Sequence, residues 1–215
     1  MPESSRSATG GPERFVDELF PEAPAASRQP GATAASARPA GPAATGDPDA
    51  VVARAAQLAD DDPDRALELL GPVVRGHPEH WPAVLERARL LLRTMRWNEA
   101  EAELRRAVRA LPGSPEALHQ LGMVLSKKGL TLEAAEHLRR VTELRPDSTA
   151  DWYYLGEALN RAGRFAEAHR ALLRAAELDP HSTRTWQLLG RILDRLRRPD
   201  EAMKMYRRAR ELPAR

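Results

Sequence analysis

The chain of 215 residues has no cysteine. That absence excludes disulfides, thiolate nucleophiles and any metal centre built on Cys ligands, while leaving the compartment open. Lysine is scarce as well, since Lys127, Lys128 and Lys204 stand against thirty arginines. Beside so much Ala, Pro and Gly, this bias reads as GC-rich coding rather than selection for arginine. No run approaches the ~18 apolar residues of a membrane span, and the N-terminus carries no apolar signal core, so no membrane insertion and a cytoplasmic location are expected. The formal net charge is only +2, so the chain as a whole shows no bias toward a polyanion.

Catalytic signatures are missing too. There is no Gly-rich phosphate loop and no Ser in an elbow sequence. Among the six histidines only His77 and His80 have ligand-like spacing, with no further ligands nearby in sequence, so neither a metal nor a cofactor is expected. Asp60, Asp61 and Asp62 read as an inter-helix turn with the acidic preference of a helix start. The chain is not expected to be an enzyme.

What is present is a period. Pro78, Pro112, Pro146 and Pro180 stand 34 residues apart, and Ala66, Ala100, Ala134, Ala168 and Ala202 keep the same spacing. A fixed period in this range marks stacked supersecondary units, each repeating its contacts with the next. Leu70, Leu104, Leu138, Leu172 and Tyr206 follow those alanines at a helical offset, as do Val73, Ala107, Val141, Ala175 and Ala209, giving a second helix with one apolar stripe. The first helix has its own stripe, Trp152, Leu155, Gly156, Leu159 and again Trp186, Leu189, Gly190, Leu193.

A W-x2-L-G-x2-L helix followed by A-x3-[LY] and Pro resembles the tetratricopeptide repeat family. The resemblance covers roughly residues 48–215 and implies an all-α, right-handed α-solenoid of about five helix hairpins. The units are 48–80, 81–114, 115–148, 149–182 and 183–215, in a repeat domain over 47–215. Gly122, Gly156 and Gly190, with Ala88 in the second unit, fall where a side chain would push the helices of a hairpin apart. Gly129 and Gly163 fall in the turns. Three departures stand out: the first unit is one residue short in its turn, Arg87 occupies a position usual for Leu and is expected to snorkel, and the fifth unit carries Pro213 out of register and is expected to be uncovered. Trp152 and Trp186 are expected in the packing between helices and Trp97 in a structural role, while the role of Trp81 stays open. A ladder of Arg106, Arg140, Arg174 and Arg208 has no interleaved aromatics, so it reads as a solvated face and not as a nucleic-acid stripe.

Residues 1–46 are different material. From Pro21 to Gly46 the composition is almost entirely Ala, Pro, Gly, Ser and Thr, with no face to bury, and a disordered tail is expected. Within it, Pro12 to Pro21 brackets Phe15 with Leu19 and Val16 with Phe20, two i,i+4 pairs on one helical face. Too short to be stable alone, this segment is a recognition motif for a partner, a cap on the weak first repeat, or without role.

Function is then expected on the surface that stacking creates. In the family the concave face is lined by first helices, and the corresponding positions here are Leu85, Arg89, Leu92 and Arg93 in the second unit, and Glu116, His119, Met123, Ser126 and Lys127 in the third. The fourth unit offers Tyr153, Glu157, Asn160 and Arg161, and the fifth Arg184, Gln187, Arg191, Asp194 and Arg195. The set is basic with a few apolar and amide groups, which suits a peptide bearing carboxylates. The carboxylate-holding Lys/Asn set of the chaperone-binding members is not reproduced, because the fifth position of successive units reads Val52, Leu85, His119, Tyr153 and Gln187. The leading expectation is a non-catalytic scaffold or adaptor binding a protein or peptide, acidic in character, in the groove. The alternative is a regulatory or targeting subunit of an enzyme or secretion machine, docking through the tail and the uncovered fifth repeat (Met203, Met205, Tyr206), where self-association would also occur.

Overall fold

A computed structural model describes residues 47–212, and within them ten α-helices and no strands. The motif Phe15, Val16, Leu19 and Phe20, with everything expected of residues 1–46, lies outside the described residues. The helices are α1 (Pro48–Leu58), α2 (Pro63–Gly76), α3 (Trp81–Arg93), α4 (Trp97–Ala110), α5 (Pro115–Lys127), α6 (Thr131–Leu144), α7 (Thr149–Arg161), α8 (Phe165–Leu178), α9 (Thr183–Arg195) and α10 (Pro199–Glu211).

Their starts follow from capping chemistry. Ser114, Ser148 and Ser182 each accept a backbone N–H of the first turn of α5, α7 and α9, as Asp47 and Asp62 do for α1 and α2. At α3 the cap is His80: its Nδ1 accepts from the Ala83 N–H, leaving Nε2 to donate to Asp49 Oδ1 at 3.1 Å. That histidine is therefore committed to joining the first two repeats.

Within each of the last four repeats the turn between helices closes the same way. The N–H groups of Arg96, Leu130, Arg164 and Arg198 reach back to the carbonyls of Leu91, Leu125, Leu159 and Leu193 at 2.8 to 2.9 Å, and the residue before each is left-handed. In two repeats it is glycine, Gly129 (φ 83°) and Gly163 (φ 74°); in the others it is Met95 (φ 59°) and Arg197 (φ 58°). The first repeat, one residue shorter, closes instead through the Asp62 N–H to the Leu58 carbonyl at 2.8 Å.

Packing within a hairpin turns on the absence of a side chain. A Cβ added at Gly122, Gly156 or Gly190 would lie 2.7 Å from Leu138, 2.5 Å from Leu172 and 2.5 Å from Tyr206. The periodic alanines are fully buried, from 0% exposure at Ala66 to 1% at Ala202. One apolar core runs through the repeats, from Ala55 to Ile192. The indole N–H groups of Trp152 and Trp186 donate to the carbonyls of Pro146 and Pro180 at 2.8 and 2.9 Å, tying each first helix to the turn before it.

Arg87 departs from the snorkelling expected of it. It turns onto α4, pairing with Glu103 and, at 3.7 Å, with Glu99, and its side chain is 18% exposed. The facing helix supplies two carboxylates to a guanidinium that stands where other repeats carry leucine, although the buried Arg87 Nε and Glu103 Oε2 are left without hydrogen-bond partners.

Each helix packs on its hairpin partner and on the next helix in the chain; the backbones of the first helices α1, α3, α5, α7 and α9 also approach one another in succession, whereas those of the second helices stay farther apart and meet through long side chains, Arg105 of α4 with Glu133 of α6 at 2.6 Å and Arg139 of α6 with Glu167 of α8 at 3.0 Å. Helices that approach more closely on one side curve the stack toward that side. The first helices therefore form the inner face and the second helices the outer one.

Candidate functional site

The inner face divides into two halves by the way its charges are used. On α3, Leu85 packs against the core, Arg89 is held by Glu86 at 2.6 and 3.0 Å, and Arg93 by Asp60 at 2.8 Å. These arginines are neutralised by neighbours on the same or the preceding repeat. On α5 and α7, His119 Nδ1 stands 2.6 Å from Asp151 Oδ1 and its ring meets Tyr154 edge-on at 5.3 Å. Asp151 is 1% exposed and also pairs with Arg145, whose Nη2 donates to Oδ1 at 3.2 Å while Nε lies 3.0 Å from Oδ2 without hydrogen-bond alignment. Burial works to raise the Asp151 carboxyl, but hydrogen bonds from His119 and Ser148 and the charges of His119 and Arg145 outweigh it and hold the group below its ordinary range. His119 is thus tied into an inter-repeat link.

Further along, the cations are less committed. Arg161 pairs with Glu157 at 2.8 Å and reaches the Ser126 carbonyl at 3.4 Å. Arg184 rests over the Tyr153 ring at 4.2 Å and Arg195 over Phe165 at 5.7 Å, and neither forms an ion pair among the described residues. Lys127 and Arg191 are exposed, again without an ion pair among those residues, while Gln187 is exposed and Asn160 half-buried.

Of the residues at the groove positions that the family resemblance implies, Met123, Ser126, Lys127, Glu157, Arg161 and Arg184 converge on one recess of about 200 Å³, where Leu138 and Tyr154 join them. Leu85, Arg89, Arg93, His119, Tyr153, Asn160, Gln187, Arg191 and Arg195 do not line it. Two of the residues that shape this region escape a reading by groove position, Tyr154 and Asp151. Each breaks its own column of the repeat: Asp151 follows Ala83 and Ala117, and Tyr154 follows Glu86 and Gln120. A charged residue in a column of small buried ones was the available signal.

The outer face has larger openings. A groove of about 500 Å³ is lined by α2, by Arg87 of α3 and by Arg96 just before α4, and one of about 610 Å³ opens between α6 and α8 over Trp152, Leu155 and Leu159. In the arginine ladder of this side Arg174 pairs with Glu177 at 3.0 Å, and Arg106 carries two buried nitrogens without hydrogen-bond partners. At the last repeat Tyr206 closes its own hairpin over Gly190 and donates to Asp194 at 2.7 Å, leaving Met203, 58% exposed, as the open apolar group. No cluster of three or more His, Asp or Glu able to hold a metal occurs among the described residues.

Three family models, each described as Tetratricopeptide repeat, match residues 57–122, residues 149–192, and residues 115–148 with 183–214. Among solved structures, the chain resembles MamA 41-end from Desulfovibrio magneticus RS-1, with 22% identity over 78% of this chain and 96% of that one and a TM-score of 0.72. A second MamA crystal structure is 22% identical over 73% of this chain and 91% of that one, TM-score 0.68. YrrB, described as a TPR protein with an unusual peptide-binding site, is 21% identical over 76% and 84%, TM-score 0.66. These likenesses show a shared fold. No curated protein matches the chain in sequence.

Proposed function

Because the chain belongs to the tetratricopeptide repeat family, we propose that it is a non-catalytic adaptor that docks a protein or peptide partner along the inner face of α5, α7 and α9. The observation that carries this reading is the split in charge. Arg89 and Arg93 on α3 are paired internally, whereas Lys127 and Arg184, which share one recess, and Arg191 and Arg195, at the family's groove positions on α9, have no carboxylate of their own among the described residues. Uncompensated cations beside tyrosine rings and Met123 form a surface for an acidic segment with apolar neighbours. YrrB, of the same fold, is described as binding a peptide, which agrees with this use. A cytoplasmic location belongs to the same proposal; no helix among the described residues is long and apolar enough to cross a membrane. Self-association through the fifth repeat would rest on Met203, since Tyr206 is spent within its own hairpin.

Site-specific photo-crosslinking in cells tests the reading. A benzophenone side chain placed at Met123 or Gln187 should give discrete partner adducts, and one at Leu132 or Leu173 on the second helices should give none. Adducts from the second helices alone would move the site to the outer grooves.

A further inference from the structure

The recess between α5, α7 and the start of α9 has the chemistry of a single-residue subsite. Its volume of about 200 Å³ holds one side chain and not a helix. It is lined by three cations, Lys127, Arg161 and Arg184, and by one carboxylate, Glu157, which Arg161 already engages at 2.8 Å. The formal balance is three positive against one negative, an excess of two positive charges. The cations come from three successive repeats, so no local charge pattern within one helix explains their convergence. Arg184 is steadied on the Tyr153 ring at 4.2 Å, which fixes where its guanidinium points. Met123 and the fully buried Leu138 give the recess an apolar side, where the methylenes of an incoming residue lose water.

We propose that this recess binds a peptide carboxylate, held between Lys127, Arg161 and Arg184 while the attached chain lies on Met123. This rests on the inner face being the docking surface and names the group that it selects. Charge-assisted bonds from a guanidinium and an ammonium exceed those to a neutral amide of the same shape. Glutamate should therefore be preferred over glutamine by at least about tenfold, the discrimination set by about 1.4 kcal/mol.

The test titrates the isotopically labelled full chain by NMR with three probes: acetyl-Ala-Leu-Glu-Leu-Ala-amide, the same peptide with Gln for Glu, and acetyl-Ala-Leu-Ala-Leu with a free C-terminus. The Glu peptide should shift the amides around Met123, Tyr154 and Arg184 and bind about tenfold or more tightly than the Gln peptide. The preference should disappear in Lys127→Gln/Arg184→Gln, and circular dichroism of that variant should match the parent. An advantage for the free-acid peptide over the Glu peptide would assign the recess to a chain terminus; the reverse assigns it to an acidic side chain. Equal binding of Glu and Gln peptides with shifts elsewhere on α5, α7 and α9 overturns the subsite and leaves the docking face standing. Shifts confined to the second helices, or none with any probe up to millimolar concentration, overturn both.

Discussion

Gly156→Ala adds one methyl group, and its effect tests how the repeat is packed. The new Cβ would lie 2.5 Å from Leu172 Cγ, 2.9 Å from Cδ2 and 3.2 Å from Cδ1. Carbon atoms settle at roughly 3.5 to 4.0 Å, so relief requires α7 and α8 to part by about an ångström or Leu172, 0% exposed, to leave its rotamer. Overpacking of this kind costs ~1 to 3 kcal/mol, while replacing a mid-helix Gly by Ala returns up to ~1 kcal/mol. The second repeat carries Ala88 at this position, so a hairpin can be built around the methyl, and the lower part of the range applies. A net loss of up to ~1 kcal/mol is expected, lowering the melting midpoint by up to about 4 °C for a domain of this size. Thermal and urea unfolding followed by far-UV circular dichroism read this directly. Gly76→Ala, whose Cβ would have nothing within 4 Å, is the control and should be neutral or stabilising. In Gly156→Ala/Leu172→Ala the glycine substitution should cost less than it does alone, because the clashing atoms are gone. If Gly156→Ala raises the midpoint as Gly76→Ala does, the hairpin is not closed by the missing side chain and the reasoning fails.

Met95→Gly and Arg197→Gly should each stabilise the protein by ~1 kcal/mol, because L-residues there hold left-handed backbone at φ 59° and 58°; a lowered melting midpoint would mean that these turns differ from those of Gly129 and Gly163. Arg87→Leu should destabilise by leaving Glu103, 15% exposed, without its partner, whereas Arg87→Leu/Glu103→Leu should recover the loss or exceed the parent; equal urea midpoints for the single and double variants would refute the pairing. Asp151 has a carboxyl depressed below its ordinary range, so its contribution is complete above about pH 4 and is lost as pH falls through the folded value. Asp151→Asn should thus cost ~1 to 3 kcal/mol at neutral pH, and the gap between the two proteins should narrow on acidification below about pH 4; parallel stability curves would show that the His119–Asp151–Arg145 link contributes nothing.

The period made the helix pairs legible because each repeat solves the same packing problem with the same residues: Ala134 and Ala168 at crossings, and Gly122 and Gly156 opposite Leu138 and Leu172. Positions can be read from such columns, and partners cannot. Arg89, Arg93 and Arg161 all stand at groove positions and each has a carboxylate partner, yet only Arg161 also shares a recess with other cations. What separates them is the company each keeps in three dimensions. Glu86 lies one turn from Arg89, Asp60 comes from the preceding repeat to Arg93, and Arg184 arrives beside Arg161 from the following one. Sequence spacing within a helix reveals the Glu86–Arg89 contact, as it does the Glu157–Arg161 pair, but not the two that cross a repeat boundary. The other two depend on how far one repeat is rotated against the next, and each also asks whether a third residue intervenes. Snorkelling was the reasonable expectation for Arg87 on its own helix, and Glu99 and Glu103 on the facing helix changed the outcome. In a stack of near-identical units, architecture therefore follows from what the columns share. Binding character follows from where one unit departs from its column, as Asp151 and Tyr154 do, and from which departures meet across a repeat boundary.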